Sequence, residues 1–75
     1  MERNEIARIT GEKLKELRGV RTRVGVAREL GISPTKLANY EHAYGIPPDA
    51  MKVKLARYYG TTVEELFFDQ QYQEV

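Results

Sequence analysis

The 75-residue chain has no cysteine and a single histidine. A disulfide framework, a cysteine-bound zinc or redox centre and a His-rich metal site are therefore excluded, and neither a metal nor a cofactor is expected. Long apolar runs are also missing. The longest is the three-residue stretch Leu66-Phe67-Phe68, far short of a membrane span. The opening residues Met-Glu-Arg-Asn-Glu offer no apolar signal-peptide core, so a cytoplasmic protein with no membrane partner is expected. Apolar–polar alternation never persists long enough to suggest a strand. Repeats and low-complexity stretches are absent as well. Without staples, so short a chain must rely on tight helix packing or on a second subunit.

The punctuation that is present belongs to helices. Gly19, Gly31 and Gly60 each follow an apolar-periodic segment, as helix-ending glycines do, while Thr22, Ser33 and Thr62 each precede one, as N-caps do. Pro34 after Ser33 is a strong helix start, because the first helical position has no use for its amide. Thr62-Val63-Glu64-Glu65 fits a capping box. This reading also disposes of Glu64 and Glu65 as a catalytic carboxylate pair, because adjacent helical residues do not share a face. The pattern predicts five helices, at about 11–18, 23–30, 34–42, 48–59 and 63–68, in an all-α fold. The candidate core is Ile9, Leu14, Leu17, Val20, Val24, Val26, Ala27, Leu30, Ile32, Leu37, Ala38, Met51, Leu55, Tyr58, Tyr59, Val63, Leu66 and Phe67. One domain over 9–68 is expected, between a mobile N-terminal extension, 1–8, and a polar tail, 69–75.

The net charge of +1 conceals an uneven distribution. Residues 1–40 carry nine basic and five acidic side chains, whereas residues 41–75 carry three basic and six acidic. Between Arg18 and Tyr40, five cations (Arg18, Arg21, Arg23, Arg28 and Lys36) face only Glu29. Such a bias can give a neutral protein one face suited to phosphate, although a solvated surface can carry the same bias.

The most informative stretch is Thr22–His42, a short helix, a Leu30-Gly31-Ile32-Ser33 turn and a second short helix. This is the spacing of a helix-turn-helix at about 23–42. On the second of these helices Thr35, Lys36, Asn39 and His42 share one side, with Leu37, Ala38 and Glu41 largely opposite. A methyl-bearing hydroxyl, an ammonium and a carboxamide suit the base edges of a major groove, and Asn39 could pair bidentately with adenine. An ordinary solvated helix face has a similar composition; the neighbouring turn and arginines favour the DNA reading.

The series Leu14-Lys-Glu-Leu-Arg-Gly19, Thr22-Arg23, Val26-Ala27, Leu30-Gly-Ile-Ser33, Leu37, Tyr40-Glu41, Pro47, Lys54-Leu-Ala56, Tyr59-Gly60 and Val63-Glu-Glu-Leu-Phe67 resembles the Cro/C1-type helix-turn-helix regulators. Within that family it looks most like the small single-domain members of bacteria and mobile elements. The likeness covers about residues 9–68. It implies a five-helix, lambda-repressor-like domain whose third helix enters the major groove. By position it places Pro34, Thr35, Lys36 and Asn39 on bases. Arg23 stands where the family usually has a phosphate-holding glutamine. Thr22, Ser33, Arg21, His42 and Tyr44 are further phosphate candidates. Glu41 is implied to form a structural ion pair with an arginine, Arg18 first and Arg21 as the alternative.

Two departures from the family pattern stand out. The family glycine two residues after the glutamate is Ala43 here, so Gly45 is expected to take the turn unless Ala43 tolerates a positive φ at a cost of about 1 kcal/mol. Gly25 interrupts the second helix at a cost of about 1 kcal/mol, either for close approach to a backbone or as a tolerated weak spot. His42, the one group whose ordinary titration lies near neutrality, is read as a helix-end polar contact rather than a pH switch. Leu66, Phe67 and Phe68 cannot all turn inward from a short helix, so at least one is expected either to face a partner or, as Phe68, to fold back onto its own domain; the family resemblance implies dimers and so places a homodimer interface there. The expected function is that of a double-stranded DNA-binding transcriptional regulator, a repressor on an inverted-repeat operator, with no enzymatic activity and no small-molecule ligand. The alternative is a protein-interaction module on the same scaffold, of antitoxin or antirepressor type.

Overall fold

The computed structural model describes residues 3–68, and the expected polar tail at 69–75 lies outside the described residues. The order is α1 (Arg3–Arg18), α2 (Arg23–Leu30), α3 (Pro34–Glu41), α4 (Asp49–Tyr59) and α5 (Glu64–Phe68), the last wound as a turn of π-helix. No strand occurs among the described residues. Leu14, Leu30, Leu37, Leu55, Leu66 and Val26 are fully buried at the centre, with Ala27, Ala56, Tyr40 and Phe67 around them. Every helix thus contributes to one core, which fixes the positions of α2 and α3.

The main correction concerns α1, which begins two turns before the expected residue 11. Part of the expected N-terminal extension is therefore helical. Gly11 has the composition of a boundary, but it lies buried inside the helix. A Cβ placed there would sit 2.5 Å from the Glu41 carbonyl oxygen and 2.9 Å from that of Tyr40. The residue is small because α1 touches the backbone at the end of α3. The helical propensity lost at Gly11 is the cost of that close approach.

The caps explain the other boundaries. Thr22 Oγ1 accepts from the Gly25 amide at 3.1 Å and Ser33 Oγ from the Lys36 amide at 3.1 Å. Gly31 ends α2 at φ +74°, and the Gly31 and Ile32 amides return to Arg28 and Ala27 carbonyls. The end of α3 uses the same paired closure with a different residue. Ala43 takes φ +64°, its amide reaching the Tyr40 carbonyl at 3.4 Å and the Tyr44 amide the Asn39 carbonyl at 2.9 Å. Gly45 does not adopt a positive φ, so the expectation that it takes the turn is overturned. The strain sits on Ala43 because the hydrogen-bond pattern requires a left-handed residue directly after His42.

The expected capping box forms only in part. Glu65 N donates to Thr62 Oγ1 at 3.0 Å, but the Glu65 carboxylate accepts from the Thr61 hydroxyl at 3.0 Å. Two expected core residues are also corrected. Val20 is fully exposed on the α1–α2 turn and Val24 is about half exposed on the first turn of α2, outside the buried cluster to which α2 contributes Val26, Ala27 and Leu30. Gly25 has no protein backbone near its open side; a Cβ there would meet only Thr22 Oγ1, at 3.1 Å, so no close approach within the domain explains it.

Candidate nucleic-acid interface

The turn Leu30–Ser33 sets α2 and α3 against each other, and the buried faces of both are filled by Val26, Ala27, Leu30, Leu37 and Tyr40. The opposite side of α3 is left to solvent. Pro34, Thr35, Lys36, Asn39 and His42 are all exposed. No side-chain hydrogen bond or ion pair engages Thr35, Lys36 or Asn39 among the described residues. An amide, a hydroxyl and an ammonium without intramolecular partners are free to exchange water for the edges of bases. Tyr44 projects beyond the end of α3, 79% exposed, with its ring edge-on to His42 at 5.9 Å.

The arginines behave differently from the expectation of a free basic face. Arg18 Nε donates to Glu41 Oε2 at 2.7 Å and Arg18 Nη2 to Oε1 at 3.1 Å. Arg23 Nε donates to the same Oε1 at 2.9 Å, and Arg23 Nη2 lies 3.1 Å from His42 Nε2. The Glu41 side chain is wholly buried between these two cations. Burial alone would raise its carboxyl pKa, but the hydrogen bonds and charges of Arg18 and Arg23 outweigh that and hold it below the ordinary value. The bond to Glu41 in turn raises the Arg18 pKa. Glu41 thereby ties the end of α1, the start of α2 and the end of α3 together.

Arg21 has another task. Its Nη2 donates to the Leu17 carbonyl at 2.6 Å and its Nε to the Arg18 carbonyl at 3.2 Å, closing the C-terminus of α1. The guanidinium also lies 5.5 Å from the Tyr58 ring centre and 5.3 Å from that of Tyr59. Tyr58 donates a short hydrogen bond to Glu29, joining α4 to α2. Of the five cations between residues 18 and 40, Arg18, Arg21 and Arg23 therefore bond within the protein. Arg28 and Lys36 remain exposed on α2 and α3. The Arg18–Glu41 pair is the one that the family resemblance implied; the internal bonds of Arg21 and Arg23 were missed, because charge counts do not show where a guanidinium points.

The end expected to dimerise is also rearranged. Leu66 and Phe67 are 1% and 3% exposed inside the protomer core, so neither is available to line an interface. Both belong to the core, where the sequence pattern also placed them. Phe68 is half-buried, with Lys52 Nζ 5.0 Å from its ring centre. It edges an apolar groove of about 300 Å³ lined also by Ile6, Ala7, Tyr40 and Ile46.

Among the described residues, no group of His, Cys, Asp and Glu could hold a metal ion, and no helix is long and apolar enough to cross a membrane. Comparison with curated proteins and with solved structures returns no match. A family model described as a helix-turn-helix domain matches residues 10–66. That span runs from the buried middle of α1 to Leu66, taking in the capped turn, the solvent-facing side of α3 and the Glu41 cluster. The chain belongs to the helix-turn-helix domain family, a DNA-binding class.

Proposed function

We propose that the protein is a sequence-specific, double-stranded DNA-binding transcriptional regulator of Cro/C1 type. The observation that carries this reading is the exposed side of α3. Thr35, Lys36 and Asn39 stand free of intramolecular partners directly after a capped helix-turn-helix turn. In this reading α3 lies in the major groove, with Asn39 on adenine, Lys36 on guanine and Thr35 and Pro34 against a thymine methyl. The helix starts at Thr22 and Ser33 approach phosphate, and His42 and Tyr44 follow the backbone past the end of α3.

The protein acts as a homodimer on an inverted repeat, with half-sites about 34–36 Å apart, and represses by occupying the operator. The self-association surface is the groove beside Phe68, where apolar side chains stay open to solvent. Selection of bound duplexes from a random pool, followed by footprinting, tests the whole reading. Recovery of a two-fold symmetric site, with affinity falling steeply between about 50 and 200 mM salt, is the expected result. A pool that gains no consensus refutes it.

A further inference from the structure

We propose that Arg23 is a positioning residue for base selection, a clamp that holds the far end of α3 to the start of α2. The inference rests on the DNA-reading role of α3 proposed above. The near end of α3 is fixed by the turn and by Ser33. Its far end consists of Glu41, the last helical residue, and His42, the C-cap. Arg23, the first residue of α2, bonds both. Asn39 sits between the two anchored ends of this eight-residue helix.

A reading side chain must be held within about 0.5 Å and 10–20° of its productive geometry. Arg18 already ties Glu41 to the end of α1. Among the described residues, Arg23 adds the one side-chain tie from this end of α3 to α2, the other helix of the turn, and through His42 a second point of attachment. A planar guanidinium can serve two acceptors at fixed angles, whereas an ammonium acts as a mobile point charge. Glu41 does not depend on Arg23 for neutralisation, because Arg18 holds both of its oxygens. The second bond from Arg23 therefore adds orientation more than charge balance.

The clamp also fixes the histidine tautomer. Arginine only donates, so His42 Nε2 is the acceptor and the ring proton of the neutral imidazole resides on Nδ1. A phosphate-binding Arg23 has no such requirement. Its side chain is only 33% exposed, with two of its nitrogens already bonded within the protein.

Two variants separate positioning from phosphate binding. Arg23→Lys keeps the charge and loses the fork, and Arg23→Gln loses both. Each is assayed on the selected duplex and on a duplex altered at one base pair read by α3, after a thermal melt shows that it is folded. The clamp predicts that both variants lower the selectivity ratio by about five- to tenfold, part of what one bidentate base contact provides. Arg23→Lys leaves the salt slope unchanged. In the unbound protein, nitrogen-15 spectra of the neutral His42 ring show the Nδ1–H tautomer in the wild type and its loss in Arg23→Lys. The proposal is overturned if Arg23→Lys retains wild-type selectivity. It is equally overturned if Arg23→Gln weakens every duplex alike with a salt slope lower by about one, or if the wild-type ring carries its proton on Nε2. A wild type that selects no duplex sinks the DNA-reading role instead, and the tautomer measurement still decides whether the clamp exists.

Discussion

Replacing Ala43 with glycine should make the protein more stable, although it deletes a methyl group. Ala43 is held at φ +64° by the two hydrogen bonds that close α3. A left-handed conformation costs an L-residue about 1–2 kcal/mol, and glycine escapes that cost. Against this, glycine loses about 0.5–1 kcal/mol more backbone entropy on folding. The balance is a gain of up to about 1.5 kcal/mol, with a midpoint of about 0.75 kcal/mol, or about 3–6 °C in Tm at that midpoint for a domain of this size. Gly45→Ala is the paired control. It has no positive φ, and a Cβ there would meet nothing within 4 Å, so alanine should be neutral or stabilising by up to about 1 kcal/mol. Urea and thermal unfolding followed by circular dichroism measure both. A variant Ala43→Gly no more stable than the wild type, or Gly45→Ala costing more than Ala43→Gly gains, would refute the assignment of strain to residue 43.

Gly11→Ala should destabilise by about 3 kcal/mol, because its Cβ would meet the Tyr40 and Glu41 carbonyls rather than movable side chains; calorimetry measures the loss, and an unchanged Tm would contradict the close contact. Glu41 has a folded-state pKa below its unfolded value, so its contribution is present above the unfolded pKa and is lost as pH falls through the folded one. Glu41→Gln should cost about 3 kcal/mol at neutral pH, by breaking a buried pair, and should flatten the acid limb of the stability profile; parallel limbs in wild type and variant would argue against the linkage. The Tyr59 hydroxyl is buried without a hydrogen-bond partner, and burial together with the Glu41 charge pushes its pKa up to about 12. Tyr59→Phe should therefore be neutral or stabilising by up to about 1 kcal/mol in chemical denaturation, whereas a loss of that size would reveal a partner for the hydroxyl.

Local chemistry was the legible part of this fold. Gly31, Ser33-Pro34 and Gly60 write helix ends in backbone terms, and the ranges of α2 and the start of α3 follow from them. Whatever depended on tertiary packing was hidden. Gly11 has the composition of a boundary and the role of a contact, which only the neighbouring end of α3 reveals. Val20 and Val24 are apolar and in register with their neighbours, yet the turn carries them outward. Leu66 and Phe67 were expected both in the core and, with Phe68, at an interface; α5 buries the first two in the protomer core and leaves only Phe68 partly open. The free side of α3 was legible from helical periodicity, since Thr35, Lys36, Asn39 and His42 are exposed and Leu37 and Glu41 buried. The direction of the arginines was not. A guanidinium on a long flexible stem takes its partner from the assembled fold, and Arg21 and Arg23 found theirs within the protein.

The central claim is that the exposed side of α3 reads bases, and Asn39→Ala tests it most directly. Quantitative footprinting on the selected operator and on its single-base variants should show a loss of about 1–3 kcal/mol on the operator. Discrimination should disappear at one position of each half-site, with binding to random duplex unchanged. Undiminished discrimination at every position would contradict the claim and remove α3 as the reading element.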